Sequence, residues 1–243
     1  MKQNYLFKLM YMSVILVMAT SCGNKSKQGK GLLDSMKEMI DPHADAVDMG
    51  IKSEEGKTLY WAKSNLIAKA DGTVEIAATP EYIPVNRSYS EGVEEWDLFG
   101  WADITGKKIS TDAMDYPSPK EISGNPEYDI ATKLGGKWRT PTYNELARLF
   151  SYENTLQEWT VINGVSGMRL TSKINGNFIF LPAAGTRRGK AAQYAGKYGS
   201  YLSSTIDPEY GFAVCGVEIA SSGIHFSNYW FREEGRSLRP VTE

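Results

Sequence analysis

Cysteine and histidine are scarce in the 243-residue chain, with two of each. Cys22 and Cys215 cannot build a disulfide framework, so the stability of any folded part has to come from packing. His43 and His225, with Cys215, do not supply the four ligands of a structural zinc site. No G-x-S-x-G turn seats a nucleophilic serine, because Gly164-Val165-Ser166-Gly167 is one residue short. Gly135-Gly136-Lys137 lacks both the spacing and the Ser/Thr of a phosphate-binding loop. Strong charge of either sign is missing as well. Lys and Arg number 27 against 29 Asp and Glu, a formal net of −2. So mild a balance gives no electrostatic ground for nucleic acid as a partner. No cofactor and no metal are expected.

Long apolar runs are limited to one. Leu9 to Ala19 follows Lys2 and Lys8 and is shorter than the roughly 20 apolar residues a membrane span needs, so it reads as a secretory signal. Small residues Ala19, Thr20 and Ser21 stand directly before Cys22. Removing the signal takes away two positive charges and leaves the remainder at −4. Gly23 to Gly31 is a polar tether, Leu32 to Ile40 has the apolar spacing of a short helix, and Pro42 ends it. The resulting division is a signal over residues 1–21, a tether with an amphipathic helix over 22–44, and a folded domain over 45–243.

What the domain has in quantity is aromatic residues, 14 Tyr, 8 Phe and 6 Trp, enough for a substantial core. Thr58 to Ala62 reads as a strand, and Asp71-Gly72 marks a hairpin between Asn65–Ala70 and Thr73–Ala77. An irregular stretch from Thr79 to Asn125 carries Trp96-Asp97-Leu98-Phe99-Gly100-Trp101, which reads as a cluster pinning loops to the core. Two helices are predicted: Glu127 to Leu134, stopped by Gly135-Gly136, and one beginning at the Thr142-x-x-Glu145 capping box. Its start is open by two positions, since Thr140 with Pro141 would serve equally. Strands follow at Trp159–Ile162, Met168–Thr171, Phe178–Leu181, Phe212–Ile219, His225–Phe231 and Ser237–Val241, with a Gly/Tyr-rich loop over Ala183–Tyr201. Helices grouped centrally among antiparallel hairpins predict an α+β domain.

Two resemblances add to this reading. The residues before Cys22 resemble the lipobox of bacterial lipoproteins, which implies acylation of Cys22 and a membrane anchor. Gly136-Lys137-Trp138-Arg139-Thr140-Pro141-Thr142, Glu145-Leu146, Asn163-Gly164-Val165-Ser166-Gly167, Phe180-Leu181-Pro182-Ala183-Ala184-Gly185 and Gly235-Arg236-Ser237-Leu238-Arg239-Pro240-Val241 resemble the Fibrobacter succinogenes major paralogous domain, found in lipoproteins of Bacteroidetes. The likeness covers roughly residues 45 to 242. It implies a C-type-lectin-like fold with two central helices, antiparallel hairpins and long irregular loops, related to the sulfatase-modifying enzymes. One departure is Gly199-Ser200-Tyr201-Leu202-Ser203-Ser204, where the family often carries a Trp.

Three functions are therefore weighed. The first is a lipid-anchored binding or adhesion module of the cell envelope, at the outer membrane, without catalysis. The second is a structural component of a surface or fimbria-like assembly. The third is an enzyme of the sulfatase-modifying type using Cys215. Cys215 alternates with Ala213, Val217 and Ile219, the pattern of a core thiol, and it lacks the second cysteine of the related enzymes. The acidic run Glu91, Glu94, Glu95 and Asp97 reads as a solvated loop face in preference to a calcium site. Candidate ligand-binding residues are Arg187, Arg188, Tyr194 and Tyr198, since guanidinium groups interleaved with rings suit a glycan or a protein partner. The same tyrosines equally suit packing the loop down. The membrane leaflet is left open.

Overall fold

The computed structural model describes residues 43–90 and 92–243. Cys22, the Leu32–Ile40 segment and Glu91 lie outside the described residues. Asp45–Glu243 forms one unit, built from short antiparallel sheets. The first sheet joins β1 (Ala46–Lys52), β2 (Thr58–Ala62) and β14 (Val241–Thr242), with β2 in the middle. The second sets β3 (Leu66–Lys69) between β4 (Val74–Ile76) and β5 (Glu95–Trp96). The third is the meander β6 (Thr155–Ile162), β7 (Val165–Ser172) and β8 (Phe178–Pro182). A two-stranded hairpin pairs β9 (Thr186–Arg188) with β10 (Ala191–Gln193). The last sheet is β11 (Tyr198–Ile206), β12 (Ala213–Ala220) and β13 (Gly223–Phe231).

The hairpins follow from local chemistry. Asn163 and Gly164 both have positive φ, 48° and 83°, as a two-residue type I′ turn between β6 and β7 requires. Asp71 closes the β3–β4 turn by accepting the Thr73 N–H at 2.9 Å. Hydrophobic residues collect in two clusters on opposite faces of the β11–β12–β13 sheet. Leu202 and Val214 enter the cluster of Tyr89, Trp96, Leu98, Phe99 and Trp101. Tyr201, Val217 and Ile219 enter the cluster of Met49, Leu59, Trp61, Leu146 and Leu149. The segment around Trp96 thus pins the irregular 79–125 stretch, as its composition predicts.

The α+β expectation with two central helices is overturned. Among the described residues there is one α-helix, α1 (Tyr143–Leu149), against fourteen strands. α1 starts at the expected capping box: the Glu145 N–H donates to Thr142 Oγ1 at 3.2 Å and the Thr142 N–H to Glu145 Oε2 at 2.9 Å. The other helix is only a 3-10 turn, Ile130–Leu134. Its physical cause is Asp129, a buried carboxylate that accepts from the N–H groups of Gly124, Ala131 and Thr140 and from Thr140 Oγ1. Those four bonds tie the segment to a neighbouring loop and override its helical periodicity. Ser237–Val241 is likewise not a continuous strand. Ser237 makes an isolated bridge to Tyr201, and only Val241 and Thr242 join a sheet.

Irregular backbone on this scale needs hydrogen-bond donors inside the molecule, and arginines supply them. Arg239 donates to the Asn65 side-chain oxygen at 2.9 Å and to the carbonyls of Ala62 and Phe180 at 3.0 and 2.7 Å. Asn65 Nδ2 in turn donates to the Tyr201 hydroxyl, which donates to the Pro182 carbonyl at 2.8 Å. Arg236 donates to the carbonyls of Phe231 and Glu234 and to the Glu234 carboxylate, and lies over the Trp230 ring. Burial lowers both guanidinium groups to about 10, which leaves them charged at neutral pH. Arg139 makes a two-pronged pair with Glu145, at 2.7 and 2.6 Å. We expect Arg239→Leu to cost about 3 kcal/mol or more, because three buried acceptors lose their donor. Urea unfolding measures this. Arg239→Lys should recover less than half, since one ammonium cannot span the three acceptors that the planar fork reaches.

Candidate binding surface

The Gly/Tyr-rich segment expected to be a loop is ordered as β9, β10 and the start of β11, and this changes the meaning of its charged residues. Arg187 lies on β9 with its side chain fully buried. Its guanidinium donates to the carbonyls of Leu98, Lys108 and Gly189 at 3.0, 2.9 and 2.9 Å. The Arg187 assignment to a ligand site is therefore corrected: the side chain is a tie between loops and presents nothing to solvent. Arg188, the next residue on the strand, points outward and is exposed, as period-two alternation requires.

Tyr194 closes the hairpin's far end. It is half exposed, at 51%, and its φ is +63°. A bulky side chain in the left-handed region costs roughly 1–2 kcal/mol. The turn is forced by its seat. A Cβ on Gly185 would collide with the Gln193 carbonyl oxygen and the Ala195 nitrogen, so the backbone of Gly185 (φ +75°) is what lets the turn sit so close. Gly196 N–H donates to the Ala183 carbonyl at 2.7 Å, and Gly185 N–H donates to the Tyr198 carbonyl at 2.8 Å. Held this way, the Tyr194 ring stacks on Tyr198 with centroids 5.1 Å apart and planes 26° apart. Partial burial raises the Tyr198 phenol above its ordinary range, opposed by a hydrogen bond to Thr186. Glu218 and His225 sit opposite one another on β12 and β13, and Ser200 lies opposite Glu218 on β11. The strip beside the stacked tyrosines therefore carries acceptor and donor groups. Flat ring, carboxylate and imidazole are a set suited to a polar ligand with an apolar face; Arg188 stands at the turn end of the same hairpin, paired with Ala191.

Other candidates resolve differently. Cys215 lies on β12 and is buried, within a run from Ala213 to Val217 that is buried throughout and so does not show the expected alternation. Burial pushes its thiol up to about 11, so it stays protonated at neutral pH and is a poor nucleophile. Among the described residues, no group of three or more His, Cys, Asp or Glu side chains could hold a metal ion. The acidic run does not form one solvated face. Glu94 is exposed and Glu95 pairs with Lys69 at 2.5 Å. Asp97 is buried against Arg87 and Tyr89, whose hydroxyl donates to it at 2.5 Å. Glu95 belongs to an open groove of about 630 Å³ lined by Lys69, Tyr82, Pro84, Val85, Asn86 and Glu94. The Tyr82 hydroxyl donates to Glu95, and that bond, before burial, raises the phenol to about 12.

Sequence reasoning missed a further surface. Tyr210, Phe212, Tyr229 and Phe231 are 43%, 39%, 52% and 44% exposed and touch one another at centroid separations of 5.5–6.5 Å. Tyr229 and Phe231 are two apart on β13, a period that was visible in the chain. That it points away from the core was not.

Cys215 should resist thiol reagents in the native protein and react at the rate of global opening, as followed by mass spectrometry in increasing denaturant. Gly185→Ala should destabilise by about 3 kcal/mol, because the new methyl meets backbone atoms and the φ is unfavourable. Comparison with protein-family models, with curated proteins and with solved structures finds no match to this chain.

Proposed function

We propose that the chain is a lipid-anchored module of the bacterial cell envelope that binds a glycan or protein partner through the surface around Tyr194, Tyr198 and Arg188, without catalysis. The observation that carries the reading is Tyr194. An aromatic residue held at φ +63° and half in solvent gives up backbone energy without gaining core packing. Strain of that kind is retained where presentation of the ring matters. Anchoring rests on the Ala19-Thr20-Ser21-Cys22 sequence. Membership of the Fibrobacter succinogenes major paralogous family is part of the same proposal. It is supported by the convergence of its motif segments: Arg139 with Glu145, Arg239 with the Phe180 carbonyl, and Gly185 under the Tyr194 turn.

Tyr194→Asn separates presentation from packing. Asparagine tolerates the left-handed region, so relief of strain should offset the lost ring stack and leave stability within about 1 kcal/mol of the parent. A tyrosine that served as core would instead cost about 3 kcal/mol or more on removal. Binding to whatever a glycan array or a membrane pull-down identifies should fall in Tyr194→Asn and in Arg188→Ala. Undiminished binding in both, or a large loss of stability in the first, would refute the assignment. Cys22→Ala should abolish palmitate labelling; equal labelling would remove the anchor from the proposal.

A further inference from the structure

We infer that the exposed rings of Tyr210, Phe212, Tyr229 and Phe231 seat the domain on a neutral lipid surface, that of the bilayer its acylated Cys22 enters. The inference rests on the anchoring part of the proposed function. A β-bulge creates half of the patch. Gly216 pairs with Ser227 and Val214 with Trp230, so β13 carries one residue more than β12 over that interval. The extra residue reverses the alternation of β13. Ile224 and Phe226 pack on the cluster of Met49 and Trp61, whereas Trp230 packs on the cluster of Trp96 and Trp101. Tyr229 and Phe231 are thereby turned to the side opposite Trp230, and both stay exposed.

The β11–β12 connection brings the other two rings. Buried Asp207 accepts the N–H groups of Glu209 and Tyr210 at 2.9 and 2.7 Å, and its own N–H donates to the Ala213 carbonyl at 2.9 Å. The Gly211 carbonyl accepts from Ser118 Oγ at 2.7 Å and from Arg232 at 3.3 Å. Polar bonds fix this turn, and its rings are left facing solvent.

A lipid surface is the occupant these features select. The four rings expose about 350 Å² of aromatic surface. That is less than half the ~800 Å² per partner of a standard stable protein interface, too little for a second copy. Several rings meet edge-to-face, at 81° and 85°, and offer no flat platform for a sugar. Fluid lipid makes neither demand, and binding to it scales with the apolar area immersed. No Lys, Arg, Asp or Glu occurs in β13, and Glu209 is the one exposed charged residue of the 207–212 turn. Immersing the rings therefore desolvates no ion among them. Half-exposed tyrosine suits the boundary, with its ring toward the acyl chains and its hydroxyl among the headgroups. Residues 23–44 separate Cys22 from the domain and reach at most about 75 Å. A patch too small to hold a free protein on lipid is enough for one already tethered there. Seating it also sets an orientation. Phe231 pairs with Ala213, and Tyr198 pairs with Ala220 at the other end of the same sheet. About 23 Å of β12 lies between them, which holds the Tyr194–Tyr198 surface off the membrane.

The test uses the full acylated chain in vesicles of phosphatidylcholine and phosphatidylethanolamine, with an environment-sensitive fluorophore on Gly211→Cys. A side chain at Gly211 meets no atom within 4 Å, and Cys215 is buried, so the new thiol is tolerated and takes the label. Its emission should shift to the blue and fall by about half or more with brominated lipid. The same label on Ser222→Cys, at the exposed β12–β13 turn, should do neither. High salt should change nothing, because no charge contributes. Phe212→Ser combined with Tyr229→Ser should abolish the Gly211 response, with flotation on vesicles retained and the melting temperature unchanged. No response at Gly211 in a chain that floats would overturn the inference and leave the anchor standing. So would a response that the double serine variant keeps. A response without lipid that grows with protein concentration would overturn it in favour of a second copy, and one that needs added envelope protein would do so in favour of a protein partner. A Gly211 response in a Cys22→Ala chain that floats as well as its parent would leave this inference standing and remove the anchor.

Discussion

Buried guanidinium groups are the constraint on which this structure depends. Half the domain is irregular chain folded against short sheets, and irregular chain carries carbonyl groups that no ladder satisfies. Arg187, Arg236 and Arg239 are nearly or wholly inaccessible and direct most of their donors at main-chain oxygens. Arg232 does the same for Ala113 and Gly211. An arginine suits this work because its five N–H groups lie in one plane and its charge is kept at any physiological pH. Leucine in the same places would fill the space and leave the carbonyls unpaired. The hydrophobic clusters supply the driving force, and the arginines decide which loops can share the interior.

From this follows the arrangement of the candidate surface. Arg187 draws the Leu98 and Lys108 loops onto β9, and the strand's alternation then turns Arg188 outward. Gly185 gives the backbone room for the Tyr194 turn, and the β9–β10 hairpin closes it. The exposed tyrosine is therefore mounted on a rigid base, with its strain opposed by bonds made entirely behind it. A surface of this construction keeps its shape whether or not a ligand is present.

What the sequence revealed was local. The Asn163-Gly164 and Asp71-Gly72 turns, the Thr142–Glu145 capping box and the strand around Cys215 all depend on neighbours within a few residues, and each is present. What failed was long-range. Glu127–Leu134 has helical spacing and a glycine stop, yet Asp129 bonds to Thr140 and Gly124 and holds it to a single 3-10 turn. Ala183–Tyr201 has loop composition, yet its glycines serve close backbone approach inside a sheet. Arg187 and Arg188 are indistinguishable by type, and only the register of β9 makes one a tie and the other a surface group. Asp97 sat in an acidic run and turned out to be paired inside with Arg87 and Tyr89. The segments that carry the family resemblance were legible as motifs, but their structural role emerges only when Arg139, Phe180, Gly185 and Arg239 are seen together.

The position of Gly235–Thr242 in the order of the chain has a kinetic meaning. This segment contributes Arg236, Arg239 and β14; it pairs with β2 and makes single bridges to Phe99, Tyr201 and Arg139. Apart from the local bonds of Arg236 to Phe231 and Glu234, what it fastens precedes it by tens to nearly two hundred residues. The contacts that close the interior are therefore the most distant in sequence, and the loop-closure entropy they must overcome is correspondingly large. Until that stretch is in place, the carbonyls of Ala62 and Phe180 have no buried donor, and each hydrophobic cluster lacks a member, Leu238 in one and Val241 in the other. Closing the interior therefore falls to the last stretch of the chain, and its docking is the step with the longest loops to close.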